Sequence, residues 1–203
     1  MIGFVAGFES ALPEGMSLAE PVRALMTWLE DGGQAFTSTS TGKRFLNVHP
    51  VAHIDGVWSH LSFQTDPEFM TYWAGNDALN ARVAVLARCG GDGSVLAQWQ
   101  SAGGPQYVFL GSEGDAFLLT DDPVAFVQIV TMGYYSIEER ATLEATPERN
   151  WTDFNGPDPW PEPRAVKEWV EAQFAVRYPA CGAALMAGAA ENGFGAWLDR
   201  QTG

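Results

Sequence analysis

Between Arg82 and Tyr134 short apolar runs alternate with glycine-rich turns, and the stretch closes on an apolar segment. Val83 to Ala87, Ser94 to Trp99, Gln106 to Leu110 and Ala116 to Thr120 are rich in Val, Leu, Phe and Tyr. Gly90-Gly91-Asp92-Gly93, Ala102-Gly103-Gly104-Pro105 and Gly111-Ser112-Glu113-Gly114 separate them. Apolar runs of this length bounded by Gly and Asp are the signature of strands. The connections are too short for a parallel crossover, so the pattern predicts an antiparallel meander over residues 83–120. Asp122 then stands at a helix cap position with Pro123 behind it, where the missing N–H costs nothing. Val124, Phe126, Val127, Ile129 and Val130 make that helix too apolar to be exposed, so it lies against the sheet and ends at Gly133.

The flanks are read in the same way. Met1 to Leu12 fits an edge strand or a small helix. Leu18, Val22, Leu25, Met26 and Leu29 recur at helical period, with Ser17 and Glu20 at capping-box spacing and Gly32-Gly33 as the stop. Ala35 to Gly42 is loop or exposed strand. Phe45 to Ile54 is a strand broken by Pro50, and Val57 to Phe63 alternates as a further strand. Asp66-Pro67 repeats the cap-and-proline device before a short helix ending at Gly75. Ile137 to Glu144 reads as a charged helix. Residues 146–163 read as an ordered loop anchored by Trp151, Phe154 and Trp160. Arg164 to Tyr178 is a helix, Ala183 to Ala190 a helix of small residues, and Phe194, Trp197 and Leu198 lie on a last turn or two. The expected architecture is α+β: a central antiparallel sheet with helices packed on one side, in one unit over 1–203. Its core spans about 14–135, and a helical extension covers 136–203.

Charge narrows the function classes. The net charge is −14, Lys and Arg are scattered, and the one basic doublet is Lys43-Arg44. Nucleic acid and anionic membrane surfaces need a basic footprint, so neither is an expected partner. An acidic surface permits steering toward a basic partner, and equally fits an acidic cytosolic protein that has none. The N-terminus lacks the basic start and long apolar run of a signal peptide, and no stretch is apolar enough to span a bilayer, so a cytoplasmic location is expected. Cys89 and Cys181 are isolated in the sequence and read as reduced thiols.

Several constellations suggest chemistry and fail on spacing. His49 and His53 form H-x-x-x-H with His60 nearby, but Pro50 pulls His49 away from helical geometry and the zincin glutamate is missing. Ser112 lacks the glycine spacing and strand-to-helix context of a nucleophile elbow. Gly90 to Gly93 lacks the Lys of a P-loop and the alternating acids of an EF-hand. Asp121-Asp122, Glu138-Glu139 and Asp153 to Asp158 supply carboxylates, but sequence neighbours do not show a facing pair. No catalytic residue, metal ligand or cofactor is expected.

The order GGDGSVLAQW, then VFLGSEGD, then a helix ending in MGY resembles the SUKH superfamily (the Smi–Knr type), over roughly residues 66 to 135. There a D-G-S turn precedes an A-x-W strand, and an L-G-S-E-G turn precedes a short strand and a helix. The resemblance implies an immunity-type protein that neutralises a cognate toxin by occluding it; the alternative is a regulatory or peptide-binding scaffold of the same fold. A small hydrolase ranks last, because no nucleophile, base and orienter can be named together. The partner would be a cognate, basic protein toxin. Asp92, Glu113 and Asp115 on hairpin turns, with Asp121 just after the last strand, are the candidate partner-binding carboxylates. Asp92 and Glu113 are expected at one end of the meander and Asp121 near the other. Trp99 is the candidate aromatic anchor.

Overall fold

The computed structural model describes residues 3–49, 59–66, 68–186 and 193–202. Among these residues, seven strands form one sheet in strict sequence order, every neighbouring pair antiparallel. They are β1 (Ala35–Thr37), β2 (Arg44–Asn47), β3 (Ser62–Phe63), β4 (Val83–Arg88), β5 (Val95–Ser101), β6 (Gly104–Leu110) and β7 (Ala116–Thr120). The expected meander is therefore β4 to β7. Its centre is the β5–β6 pair, which runs in unbroken register from Val95 opposite Leu110 to Ser101 opposite Gly104. The helices are α1 (Phe4–Ser10), α2 (Glu20–Asp31), α3 (Phe69–Ala74), α4 (Asp77–Asn80), α5 (Pro123–Thr131), α6 (Pro147–Asn155), α7 (Arg164–Phe174) and α8 (Gly193–Thr202).

Alternation along the strands sorts side chains onto two buried faces. Leu96, Tyr107, Phe109 and Leu119 meet Leu25, Met26 and Leu29 of α2, Phe126, Val127 and Val130 of α5 and Val166 and Val170 of α7. A bulge between Val85 and Ala87 lets the successive residues Leu86 and Ala87 both join this larger core. The opposite face presents Val83, Val85, Val95, Ala97, Trp99, Val108, Leu110 and Leu118. Met70 of α3, Leu79 of α4 and Phe194 and Trp197 of α8 cover it. The expectation of helices on one side thus describes only the larger layer. The central strands are apolar on both faces, and a sheet of that composition needs cover on both.

Local expectations fared unevenly. The N-terminal segment is helix α1, whose first amides, of Phe4 and Val5, donate to the Glu30 carboxylate. The Ser17 capping box does not form. Helix α2 starts at Glu20 from an Ala19 cap without side-chain help, with Pro21 in its first turn. Asp66 does not cap α3 through its side chain; Glu68 stands at that position. Asp122 does cap α5, accepting from Val124 N at 2.8 Å. The charged segment after Ile137 is a single 3-10 turn, Arg140–Glu144. Within the expected loop 146–163, Pro147–Asn155 is helix α6, because Thr146 accepts from Arg149 N at 3.2 Å and Pro147 opens the helix. Helix α7 stops at Phe174, and Gly182–Leu185 is a 3-10 turn. Pro50, His53, Val57, Pro67 and the remainder of the 183–190 helix lie outside the described residues.

Candidate functional site

The β4–β5 turn and the β6–β7 turn emerge at the same end of the sheet, and side chains lash them together. Asp92 is the knot. Its Oδ1 accepts from Ser94 N at 2.9 Å, and its Oδ2 accepts from Ser94 Oγ and Ser112 Oγ, each at 2.8 Å. Ser112 N donates in turn to Ser94 Oγ at 3.2 Å. The D-G-S order makes this possible. Gly93 takes φ of 107°, which reverses the chain so that Ser94 returns onto the carboxylate two residues behind it.

A third segment buttresses this end. Ile137 N donates to Cys89 O at 2.7 Å, and Gly91 N lies between Ser136 Oγ at 3.2 Å and Glu138 Oε1 at 3.3 Å. Ser136 Oγ donates to the same Glu138 oxygen at 2.8 Å. The buried Asn150 of α6 fixes the segment from beneath. Its Oδ1 accepts from Tyr135 N at 2.8 Å and Ser136 N at 3.3 Å, and its Nδ2 donates to Ser136 O at 3.0 Å. His60 N donates to Tyr135 O at 2.8 Å, and a side chain at Gly91 would meet His60 Nε2 at 2.9 Å. A larger residue there would have to push the His60 ring aside. On the other flank, Trp73 Nε1 donates to Gly111 O at 2.6 Å and ties α3 to the second turn.

The electrostatics follow from this packing. Burial works to raise the Asp92 pKa, but the hydrogen bonds from Ser94 and Ser112 outweigh it and hold the carboxyl below its ordinary value. Burial pushes the Cys89 thiol well up, helped by Asp92 and Glu138, so it stays protonated and unreactive. Burial, then the Arg88 charge, lowers the His60 pKa against the opposing pull of Glu138 and Asp92. Arg88 folds its guanidinium onto Gly90 O at 3.1 Å and Gly91 O at 3.2 Å. Ser112 gives its hydroxyl hydrogen to Asp92, a carboxylate held in its weakly basic form. That pair is suited to holding two turns together and ill-suited to general-base activation of a nucleophile.

Of the residues singled out in the sequence, Asp92, Glu113 and Asp115 are exposed on this end. Asp121 is also exposed but lies beyond the far end of β7, about 16 Å away along the strand. Trp99 is not a surface anchor. It is 5% exposed and packs at 5.2 Å on Phe194 and 5.3 Å on Trp197, beneath α8. The A-x-W strand supplies the second core. Sequence reasoning missed Ser136, His60 and Asn150 as parts of the site; the one available signal was the placement of MGYYSIEE directly after an apolar helix. Among the described residues, no group of three or more His, Cys, Asp or Glu side chains is placed to hold a metal ion. His53, one half of the H-x-x-x-H pair, lies outside them. No helix among them is long and apolar enough to cross a membrane. No protein-family model, curated protein or solved structure matches the chain.

Proposed function

We propose that this chain is an adhesive, non-catalytic protein of the immunity type. It binds a basic protein toxin inside the producing cell and occludes the toxin's working surface. One observation carries the reading: two acidic hairpin turns are tied into one rigid end of the sheet through Asp92, Ser94 and Ser112. They present Asp92, Glu113 and Asp115 to solvent in a chain of net charge −14. Carboxylates on a preorganised frame are suited to recognising a cationic surface, because little conformational entropy is lost on docking. The order of the D-G-S and G-S-E-G turns, which resembles that of the SUKH superfamily, points the same way.

The test is a search of the adjoining genes for a basic protein and complex formation with it, followed by calorimetry at 50 and 500 mM NaCl. The expected result is a one-to-one complex that weakens about tenfold or more over that range. Co-expression should also restore growth to a host poisoned by the partner. Absence of a complex at low salt would refute the proposal, and growth rescue without binding would refute occlusion as the mechanism.

A further inference from the structure

The segment that buttresses the acidic turns also carries a row of rings. Phe154 of α6 is one of two exposed large apolar side chains among the described residues, at 49%. Its ring lies 5.3 Å from that of Tyr135, and the Tyr135 ring lies 5.0 Å from that of His60, edge to face. Trp151 closes the underside, edge to face with Tyr135 at 5.6 Å. The row is fixed before anything binds, because Asn150 holds the Tyr135 and Ser136 amides from below. It runs directly into the acidic end, since Ser136 and Glu138 take the Gly91 amide.

The chain's own cations mark what is different here. Arg44 lies over Phe4, Arg82 over Trp197, Arg140 over Phe117, and Lys167 over both Trp160 and Tyr178. Among the described residues, no cation is placed over Tyr135 or Phe154. The nearby cations have other duties: Arg88 is folded onto the turn carbonyls, and Arg149 pairs with Asp153 at 2.8 Å. Glu138 and Asp92 stand at the His60 end of the row, where two carboxylates face the single Arg88 guanidinium. A π-face flanked by carboxylates is the arrangement that receives a guanidinium, which stacks on the ring while its edge meets an anion.

Resting on the reading of this end as adhesive, we propose that Phe154 and Tyr135 form the pocket for an arginine side chain of the basic partner, with Glu138 and Asp92 as its counter-charges. This row takes the place of Trp99 as the aromatic anchor.

The probe is an acetylated, amidated peptide of alternating Arg and Gly, titrated into the 15N-labelled full chain at 50 mM salt. Amide shifts are expected to concentrate at Gly91, Asp92, Tyr135, Ser136 and Asn155. Phe154→Ser, a half-exposed position whose loss leaves the core intact, should weaken binding about two- to fivefold. Asp121→Asn, at the far end, should leave it unchanged. Full-strength binding by the Phe154→Ser chain, or shifts spread evenly over all acidic segments, would overturn the arginine pocket while leaving a general acidic surface standing. No binding of the peptide at all would remove both.

Discussion

Asp92 shows how one exposed carboxylate holds a supersecondary unit together. It accepts three hydrogen bonds from two different turns, so its loss unties both. Asp92→Asn keeps the shape but loses the charge, and should cost about 1 kcal/mol in urea denaturation after allowance for its exposure. The sign of the pH effect follows from its lowered pKa. The contribution is fully present above the ordinary value, 3.8, and is lost as pH falls through the lower folded-state value. Stability measured from pH 5 to pH 2.5 should therefore fall less steeply for Asp92→Asn than for the parent. Trp99 gives a second residue-scale prediction. Its indole nitrogen is buried without an acceptor among the described residues. Trp99→Phe should consequently cost under about 1.5 kcal/mol, while Trp99→Ala leaves a cavity and should cost about 3–5 kcal/mol in the same assay. The acidic turn residues were legible in the sequence because D-G-S and G-S-E-G fix turn and exposure together. The fate of Trp99 was not. Period-two alternation assigns a side chain to a face but says nothing of what covers that face, and its cover is Phe194 and Trp197, far along the chain.

Elements were legible where one local device decided them. Asp122-Pro123 starts α5 by side-chain cap and fixed φ, and Thr146-Pro147 starts α6 by the same device. The second was obscured because aromatic and proline residues crowd the stretch after it and suggested a loop. Ser17 and Glu20 have the right spacing for a capping box, yet Pro21 allows the helix to begin later, so spacing alone misplaced the start. The segment from Trp160 to Pro163 straps the end of α5. Trp160 Nε1 donates to Gly133 O at 3.0 Å, and Gly133 holds φ of 101°. A Cβ there would lie 2.6 Å from Pro163 Cδ and 3.0 Å from Trp160 Cζ2. Gly133→Ala combines backbone strain with overpacking and should cost about 2–4 kcal/mol by denaturant melting. Asn150→Ala removes the support beneath residues 135 and 136. It should cost about 2 kcal/mol and raise hydrogen exchange at those two amides ahead of the sheet.

At the scale of the molecule, antiparallel order follows from short connections and was readable over β4 to β7. The three earlier strands were less so: β1 and β3 are only three and two residues long and carry little periodic signal. The expectation of helices on one side missed the second covered face, because the helices that provide that cover come from distant parts of the chain. The whole-molecule consequence is a rigid, doubly covered sheet whose acidic turns project from one end, in a chain with 25 acidic and 11 basic side chains. Such a frame fits the proposed role of presenting a surface to a partner. The most direct measurement is hydrogen–deuterium exchange on the chain alone and with a basic protein found encoded beside its gene. Binding through the tied end predicts new protection at residues 90–93, 111–115 and 134–138, with residues 101–104 and 121–122 unchanged. Protection confined to residues 101–104 and 121–122, with the tied end exchanging as in the free protein, would contradict it.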